Sequence, residues 1–273
     1  MPPKLGIVAG RGKLPARLIE ACRATGRDVF VIAIEGQTEE AVVNSVSHHW
    51  VTLGAVGKAL NLLREAGVAE LVFAGPVTRP SLSSLRPDAR TAKFLAKLGK
   101  AALGDDGLLS AIVREFEGEG FRVVGADDIL GEMLAPMGPL GDIVPDEVAL
   151  GDIARAATIA RALGVLDVAQ AVVVQQGIVL GIEAVEGTDA LIARCAALRR
   201  EGPGGVLVKV KKPMQERRVD LPTIGPRTVT AAADAGLRGI AIEAGNTLLI
   251  DRAAVTRTAD AAGLFVVGIA GQK

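Results

Sequence analysis

The sequence predicts two α/β domains, the first Rossmann-like with a parallel sheet and the second α/β as well. Three observations carry that reading. Short apolar runs alternate with amphipathic stretches through both halves of the chain. The apolar residues are almost all aliphatic, 49% hydrophobic against 3% aromatic, which suits helices laid on sheets buried on both faces. The 273 residues exceed one usual domain but fit two of about 100 to 150 each.

The elements follow in order. LGIVAG, LPARLIEACRATG, DVFVIAI, AVGKALNLLREAG and AELVFAG read as βαβαβ, the strands being continuous apolar runs and the helices showing a 3.6-residue period. Helical pattern continues through PDARTAKFLAKLGKAAL and DDGLLSAIVREFEGEG, and FRVVGA supplies another strand. The first domain is expected over residues 1–133. From Leu134 to Pro145 the text is LAPMGPLGDIVP, with three prolines and two glycines, and it reads as a linker. The second domain, 134–273 with that linker, continues with a helix at DEVALGDIARAATIARALG and strands at AQAVVVQQ and IVLGIEAV. A helix from Thr188, a strand at GVLVKV and two further αβ units ending in LFVVGIAG complete it.

Composition excludes several function classes. Lys plus Arg equals Asp plus Glu, 31 each, so the summed field offers no general attraction for nucleic acid or an anionic membrane, and any basic chemistry is local. Cys22 and Cys195 lie far apart in apolar, helix-like text without CxxC spacing, as expected of buried thiols in a reducing compartment. No signal-like stretch opens the chain, and no run approaches the ~18 apolar residues of a membrane span. The expectation is a soluble or peripheral protein.

Several motifs sit where chemistry is possible. GIVAGRGKLP, from Gly6 to Pro15, joins the first strand to the first helix. Its glycines and the helix N-terminus either make a tight turn or hold an anion, with Arg11 and Lys13 in support. It is neither a Walker A loop nor GxGxxG, since five residues separate Gly6 from Gly12 and Pro15 takes the third glycine's place. GAVGK at Gly54–Lys58 and GPVTRP at Gly75–Pro80 fall at carboxyl ends of parallel strands, where open sheets bind ligands, though loop turning alone also explains them. In GDD, Gly104–Asp106, one aspartate caps a helix or serves a metal or substrate. IEAVEGTD places Glu183, Glu186 and Asp189 at a strand end and helix start. Hard oxygens there suit Mg²⁺, while Thr188 as helix cap and Asp189 on the helix dipole are the bland alternative.

VKVKKPMQERRVDLPTIG, Val208 to Gly225, is the densest. Lys209, Lys211, Lys212, Arg217 and Arg218 surround two prolines, with Gln215 and Asp220 among them. A rigid loop with such cations can bind a pyrophosphate, and its aspartate can bind Mg²⁺ or orient water. His48 and His49, in a short strand before Trp50, point to opposite faces and are expected to be structural.

Together GIVAGRGKLP, FAGPVTRP, GDD, LDVAQAVVV, IEAVEGTD, KKPMQERRVDLPTIG and IEAGNTLLIDR resemble the LpxI family, the UDP-2,3-diacylglucosamine pyrophosphatases of lipid A biosynthesis, over almost the whole chain. The resemblance implies hydrolysis of UDP-2,3-diacylglucosamine to UMP and 2,3-diacylglucosamine 1-phosphate with Mg²⁺, at an active site between the two domains. It matches the family's DLP aspartate to Asp220. With the charged and glycine-rich segments read above, the expectation is Asp220, Lys212 and Gln215 as catalytic, and Gly10, Arg11, Gly12, Gly75, Arg79, Thr188, Arg217, Arg218 and Thr223 as substrate-binding. Asp220 would hold the metal with help from Glu183, Glu186 or Asp189. A homodimer in the cytoplasm, in transient contact with the inner-membrane surface and without nucleic-acid partners, is the accompanying expectation. The rivals are a non-catalytic nucleotide-sugar or lipid sensor on the same fold, and a dinucleotide-dependent oxidoreductase. The second is disfavoured by the incomplete glycine fingerprint and the absence of tyrosine.

Overall fold

The computed structural model describes residues 2–78, 87–98 and 105–271. These form two compact units: Met1–Gly131 with Glu216–Asp220, and Glu132–Gln215 with Leu221–Lys273.

The first unit runs β1 (Leu5–Ala9), α1 (Leu14–Ala24), β2 (Val29–Ile34), α2 (Glu40–Val43), β3 (His48–Val51), α3 (Val56–Glu65), β4 (Glu70–Ala74), α4 (Ala89–Leu98), α5 (Asp105–Gly118), β5 (Arg122–Val123) and α6 (Ala126–Ile129). Its sheet has the order β3-β2-β1-β4-β5 and every pairing is parallel, the order of a Rossmann-like half. Leu5 stands opposite both Val29 and Glu70, so β1 is central, and Leu5, Ile7 and Ala9 are fully buried. Leu60 and Leu63 of α3 and Val113 and Phe116 of α5 pack on this sheet. The strand expected over FRVVGA is only two residues long, because the chain turns at Gly125, whose N–H donates to Asp128 Oδ2 at 2.9 Å to start α6.

The second unit runs β6 (Gly138–Pro139), α7 (Glu147–Gly164), β7 (Ala171–Gln175), β8 (Ile178–Ile182), α8 (Thr188–Ala196), β9 (Val206–Lys209), β10 (Thr223–Ile224), α9 (Pro226–Asp234), β11 (Gly239–Glu243), β12 (Leu248–Leu249), α10 (Arg252–Ala261) and β13 (Phe265–Ile269). Six strands form one mixed sheet of order β6-β13-β11-β9-β7-β8, and β10 pairs with β12 in a short parallel ribbon. The proline-rich stretch expected as a linker contributes edge strand β6, with Pro139 opposite Val267 and with Ala135 and Leu140 buried. An edge position tolerates the missing N–H of proline.

The β7–β8 hairpin turns through Gln176 and Gly177, both at positive φ (50° and 77°), as a two-residue turn demands. Buried Asp152 of α7 accepts both turn N–H groups, at 2.9 and 2.6 Å. The hairpin reverses β8, so β8, β9, β11 and β13 all end at one edge of the sheet, beside the start of β7. Asp146 caps α7, accepting from Ala149 N at 2.8 Å, and the small residues Ala149, Ala156, Ala157 and Ala160 let that helix lie close on one face. The other face packs against α8, α9 and α10. Cys22 and Cys195 are buried and unpaired, and burial pushes both thiols up.

In the first unit the loops after β1 and β4 cross at van der Waals limits. A Cβ on Gly75, at φ 87°, would stand 2.2 Å from the Arg11 carbonyl oxygen, and one on Gly10 would stand 2.5 Å from that of Gly75. Gly12 has a similar φ of 83° but open space around it. Gly75→Ala is therefore expected to cost more than Gly12→Ala, which pays only the left-handed backbone penalty of about 1–2 kcal/mol. Urea unfolding of the two variants checks the order.

Candidate functional site

The carboxyl edge of the first sheet is built from loops fastened to one another. Gly10 N–H donates to Ala74 O at 2.8 Å and Arg11 N–H to Pro76 O at 3.0 Å. The Arg11 guanidinium donates to Thr78 Oγ1 at 2.5 Å, and Thr78 N–H donates to Gln37 Oε1 at 3.0 Å. Gly10, Arg11, Gly12 and Gly75 are thus brought together, while Arg79 lies outside the described residues, as does Gly104 of the GDD motif. Asp106 is buried in the first turn of α5. His48 and His49 alternate along β3, half-buried and exposed, on opposite faces as their spacing predicts.

The GAVGK loop is filled from within the chain. Asp88 Oδ2 accepts from Gly57 N at 2.8 Å and Lys58 N at 3.3 Å, where α3 begins, and Asp88 Oδ1 accepts from Thr91 N at 2.7 Å in the first turn of α4. One carboxylate therefore occupies the helix terminus that the glycines offered to an anion.

Residues Glu216–Asp220 are part of the first unit. Val219 packs against its core, Arg217 donates to Asp127 Oδ2 at 2.7 Å, and Arg218 donates to Glu117 Oε1 at 2.6 Å and to both oxygens of Glu216 at 2.9 Å. The hydrogen bonds to Glu216, then those to Glu117, raise the Arg218 pKa further above its already high value. Asp220 is half-buried, and its N–H donates to Glu216 O at 3.0 Å. The two arginines expected to meet substrate have carboxylate partners that fix the turn carrying Asp220.

In the second unit, Lys212 and Gln215 are buried. Lys212 forms an ion pair with Asp167, and Gln215 folds its own loop: its Oε1 accepts from Lys212 N at 3.0 Å and its Nε2 faces Gln170 Oε1 at 3.4 Å. At the ends of β8 and β9, Thr188 Oγ1 accepts from Lys209 Nζ at 2.8 Å and donates to Glu183 Oε1 at 2.8 Å, while Lys209 also donates to Thr223 O at 3.4 Å. Thr188 is the first residue of α8 and Gly187 its N-cap, so the hydroxyl expected as a cap serves this chain instead. Glu186 takes Arg194 (2.9 and 3.2 Å) and Ala184 N–H (3.0 Å). Its own backbone N–H and the Arg194 bonds, against the opposing effect of desolvation, hold it below the ordinary carboxylate value. Exposed Asp189 faces Arg227 at 3.6 Å. Among the described residues no group of three or more His, Cys, Asp or Glu side chains is placed to hold a metal ion.

Comparison with known proteins decides the family. Residues 4–133 match the LpxI N-terminal domain and residues 136–267 the LpxI C-terminal domain. The chain belongs to the LpxI family. It is 45% identical over 273 residues to "UDP-2,3-diacylglucosamine pyrophosphatase LpxI" of Caulobacter vibrioides, covering 97% of each chain. Among solved structures it is similar to the biotin carboxylase subunit of pyruvate carboxylase at 16% identity, over 63% of this chain and 35% of that one, with a TM-score of 0.26. The biotin carboxylase domain of Hydrogenobacter thermophilus 2-oxoglutarate carboxylase follows at 13%, over 71% and 41%, with 0.28. Those scores carry no argument about an LpxI chain.

For this LpxI chain, the sequence marks Lys209 only as one of five cations able to bind a pyrophosphate, with no part of its own. The available signal was alternation, which turns Lys209 to the same face as buried Leu207. Asp167 carried no signal, because its partner Lys212 is distant in sequence; for Asp88 only the cap on Thr91 N is local, while Gly57 and Lys58 are remote.

Burial raises the Asp88 carboxyl, but the N–H groups of Thr91, Gly57 and Lys58 and the Thr91 hydroxyl outweigh it and leave the pKa lowered. A depressed folded value contributes stability that is present above the unfolded pKa and lost as pH falls through the folded one. Asp88→Ala is expected to cost about 1–2 kcal/mol at neutral pH. That cost should shrink as urea titrations are repeated below about pH 4.

Proposed function

We propose that the chain hydrolyses the pyrophosphate bond of UDP-2,3-diacylglucosamine, a step of lipid A biosynthesis, releasing UMP and 2,3-diacylglucosamine 1-phosphate, with Asp220 as the essential carboxylate and Mg²⁺ as the cofactor. The observation that carries this is the end-to-end match, over both LpxI domains, to the Caulobacter pyrophosphatase, with the DLP aspartate intact at Asp220. Water adds to one phosphorus and gives up a proton to solvent, the bridging P–O bond breaks, and the bridging oxygen leaves on the other phosphate.

The donor chemistry suits Mg²⁺ held as that ion usually is, by one or two protein carboxylates with phosphate and water completing the set. Asp220, the DLP aspartate, is the carboxylate assigned to the ion, with help from Glu183, Glu186 or Asp189, of which Glu186 and Asp189 also face arginines and Glu183 bonds to Thr188. When bound, Mg²⁺ neutralises charge on the pyrophosphate oxygens. The pairs Arg217 with Asp127 and Arg218 with Glu117 and Glu216 hold the Asp220 turn in one geometry, which lets a carboxylate orient water without reorganising. Lys212 and Gln215 fix the loop that precedes it. Gly10 to Gly12 and Gly75 bring backbone close enough to seat a phosphate or ribose.

Among the described residues no helix is long and apolar enough to cross a membrane. The acyl chains of the substrate therefore call for transient, peripheral contact with the inner-membrane surface, made by a cytoplasmic protein acting as a homodimer.

Asp220→Asn is expected to lower UMP release more than about 100-fold, the scale of a group acting on proton transfer, with the melting temperature little changed. A chelator should abolish turnover and added Mg²⁺ restore it. Unchanged UMP release by the variant would remove Asp220 from the mechanism, and ligand binding without turnover by the unaltered chain would favour the sensor.

A further inference from the structure

Lys209 ends β9 and Glu183 follows β8, and only 6% of each is exposed. Both hang from the same residue of β7: Lys209 pairs with Ala171, and Glu183 N–H donates to Ala171 O at 2.9 Å. Lys209 lies on the sheet face packed by α8, α9 and α10, where an ammonium group is costly unless its charge is answered. The answer is indirect. The Thr188 hydroxyl stands between the charges, accepting from Lys209 and donating to Glu183. Here the hydroxyl sets the direction of the ammonium group, two of whose three donors are engaged, by Thr188 and by the Thr223 carbonyl. Glu183 Oε2 is buried with no hydrogen-bond partner among the described residues.

The location matches an anion. Lys209 and Glu183 lie at the carboxyl ends of β9 and β8, which run parallel to β11, and such ends are where α/β sheets bind ligands. Thr188 opens α8, whose N-cap Gly187 makes no side-chain cap, so first-turn N–H groups remain for a phosphate oxygen.

We propose that Lys209 is a phosphate-binding residue of the pyrophosphatase site, and that Thr188 and Glu183 are the positioning residues that aim its ammonium group. The proposal deepens the function argued above and rests on it for the identity of the substrate. Its chemistry, a seat for a phosphate oxygen, can be read separately from turnover.

Two measurements on the full-length chain test it: calorimetric binding of inorganic pyrophosphate, and steady-state UMP release. Lys209→Met is expected to abolish pyrophosphate binding and to lower kcat/KM by about 10²–10³-fold, as loss of a charged transition-state donor does. Thr188→Val keeps the shape but not the hydroxyl and should lose about tenfold, mostly in kcat, which Thr188→Ser restores. Glu183→Gln should fall with Thr188→Val. The loss and its rescue by serine should occur at melting temperatures close to that of the unaltered chain, which a purely structural network would not give. Pyrophosphate binding and UMP release within about twofold of the unaltered chain for both Thr188→Val and Lys209→Met would overturn the proposal, as would absence of pyrophosphate binding by the unaltered chain. If Lys209→Met does not fold, the Thr188 pair decides alone. A chain that binds pyrophosphate through Lys209 but releases no UMP from UDP-2,3-diacylglucosamine would keep the phosphate seat and refute the assigned reaction.

Discussion

Strands that run parallel cannot be joined by tight turns, so each crossover returns over a helix and each carboxyl end hands the chain to a loop on the same edge of the sheet. In the first unit this applies to all five strands and gathers the loops after β1, β2 and β4 where Arg11, Gln37 and Thr78 hydrogen-bond to one another. In the second unit one hairpin breaks the rule and restores it. Gln176 and Gly177 reverse the chain once, after which β8, β9, β11 and β13 share an edge. Glu183 and Lys209 are neighbours because of that reversal.

Periodicity made most of this architecture legible, since continuous Val, Ile and Leu runs separated by amphipathic stretches have few other solutions. The parallel first sheet, the helix from Thr188 and the closing αβ units were readable for that reason. What escaped was set by partners remote in sequence. LAPMGPLGDIVP carries the composition of a linker, yet prolines are compatible with an edge strand, and only the presence of β13 beside it makes Gly138–Pro139 one. Glu216–Asp220 lies in text that belongs to the second half, while its ion-pair partners, Glu117 and Asp127, stand a hundred residues earlier.

The candidate site was legible as a set of segments and much less as a set of roles. Sequence identified the cations of KKPMQERR and the carboxylates of IEAVEGTD, but charge alone does not say which ions answer one another. The structure gives Arg217, Arg218, Lys212 and Glu186 carboxylate or guanidinium partners. The partly exposed arginine pairs add little stability, so their consequence here is geometric: each removes rotamers from the loop that carries it. A cation already engaged can still lie beside a phosphate, but it cannot swing to find one.

Lys209 differs from those arginines in the environment that answers its charge. An exposed guanidinium is hydrated when its partner leaves, whereas a buried ammonium has only what the fold supplies, and here that is one hydroxyl and one carbonyl. In a low-dielectric setting its pull on an approaching oxyanion is correspondingly stronger than that of a surface cation at equal distance. The cost of burying it is met by Glu183 through Thr188, and a hydroxyl is the smallest group that can accept from one and donate to the other. Serine can replace threonine in that office and valine cannot, although valine matches its shape. The same segment therefore divides its labour: the half-buried charges of residues 216–218 and buried Lys212 shape the loop, and Lys209 at its head is the cation proposed to act on substrate.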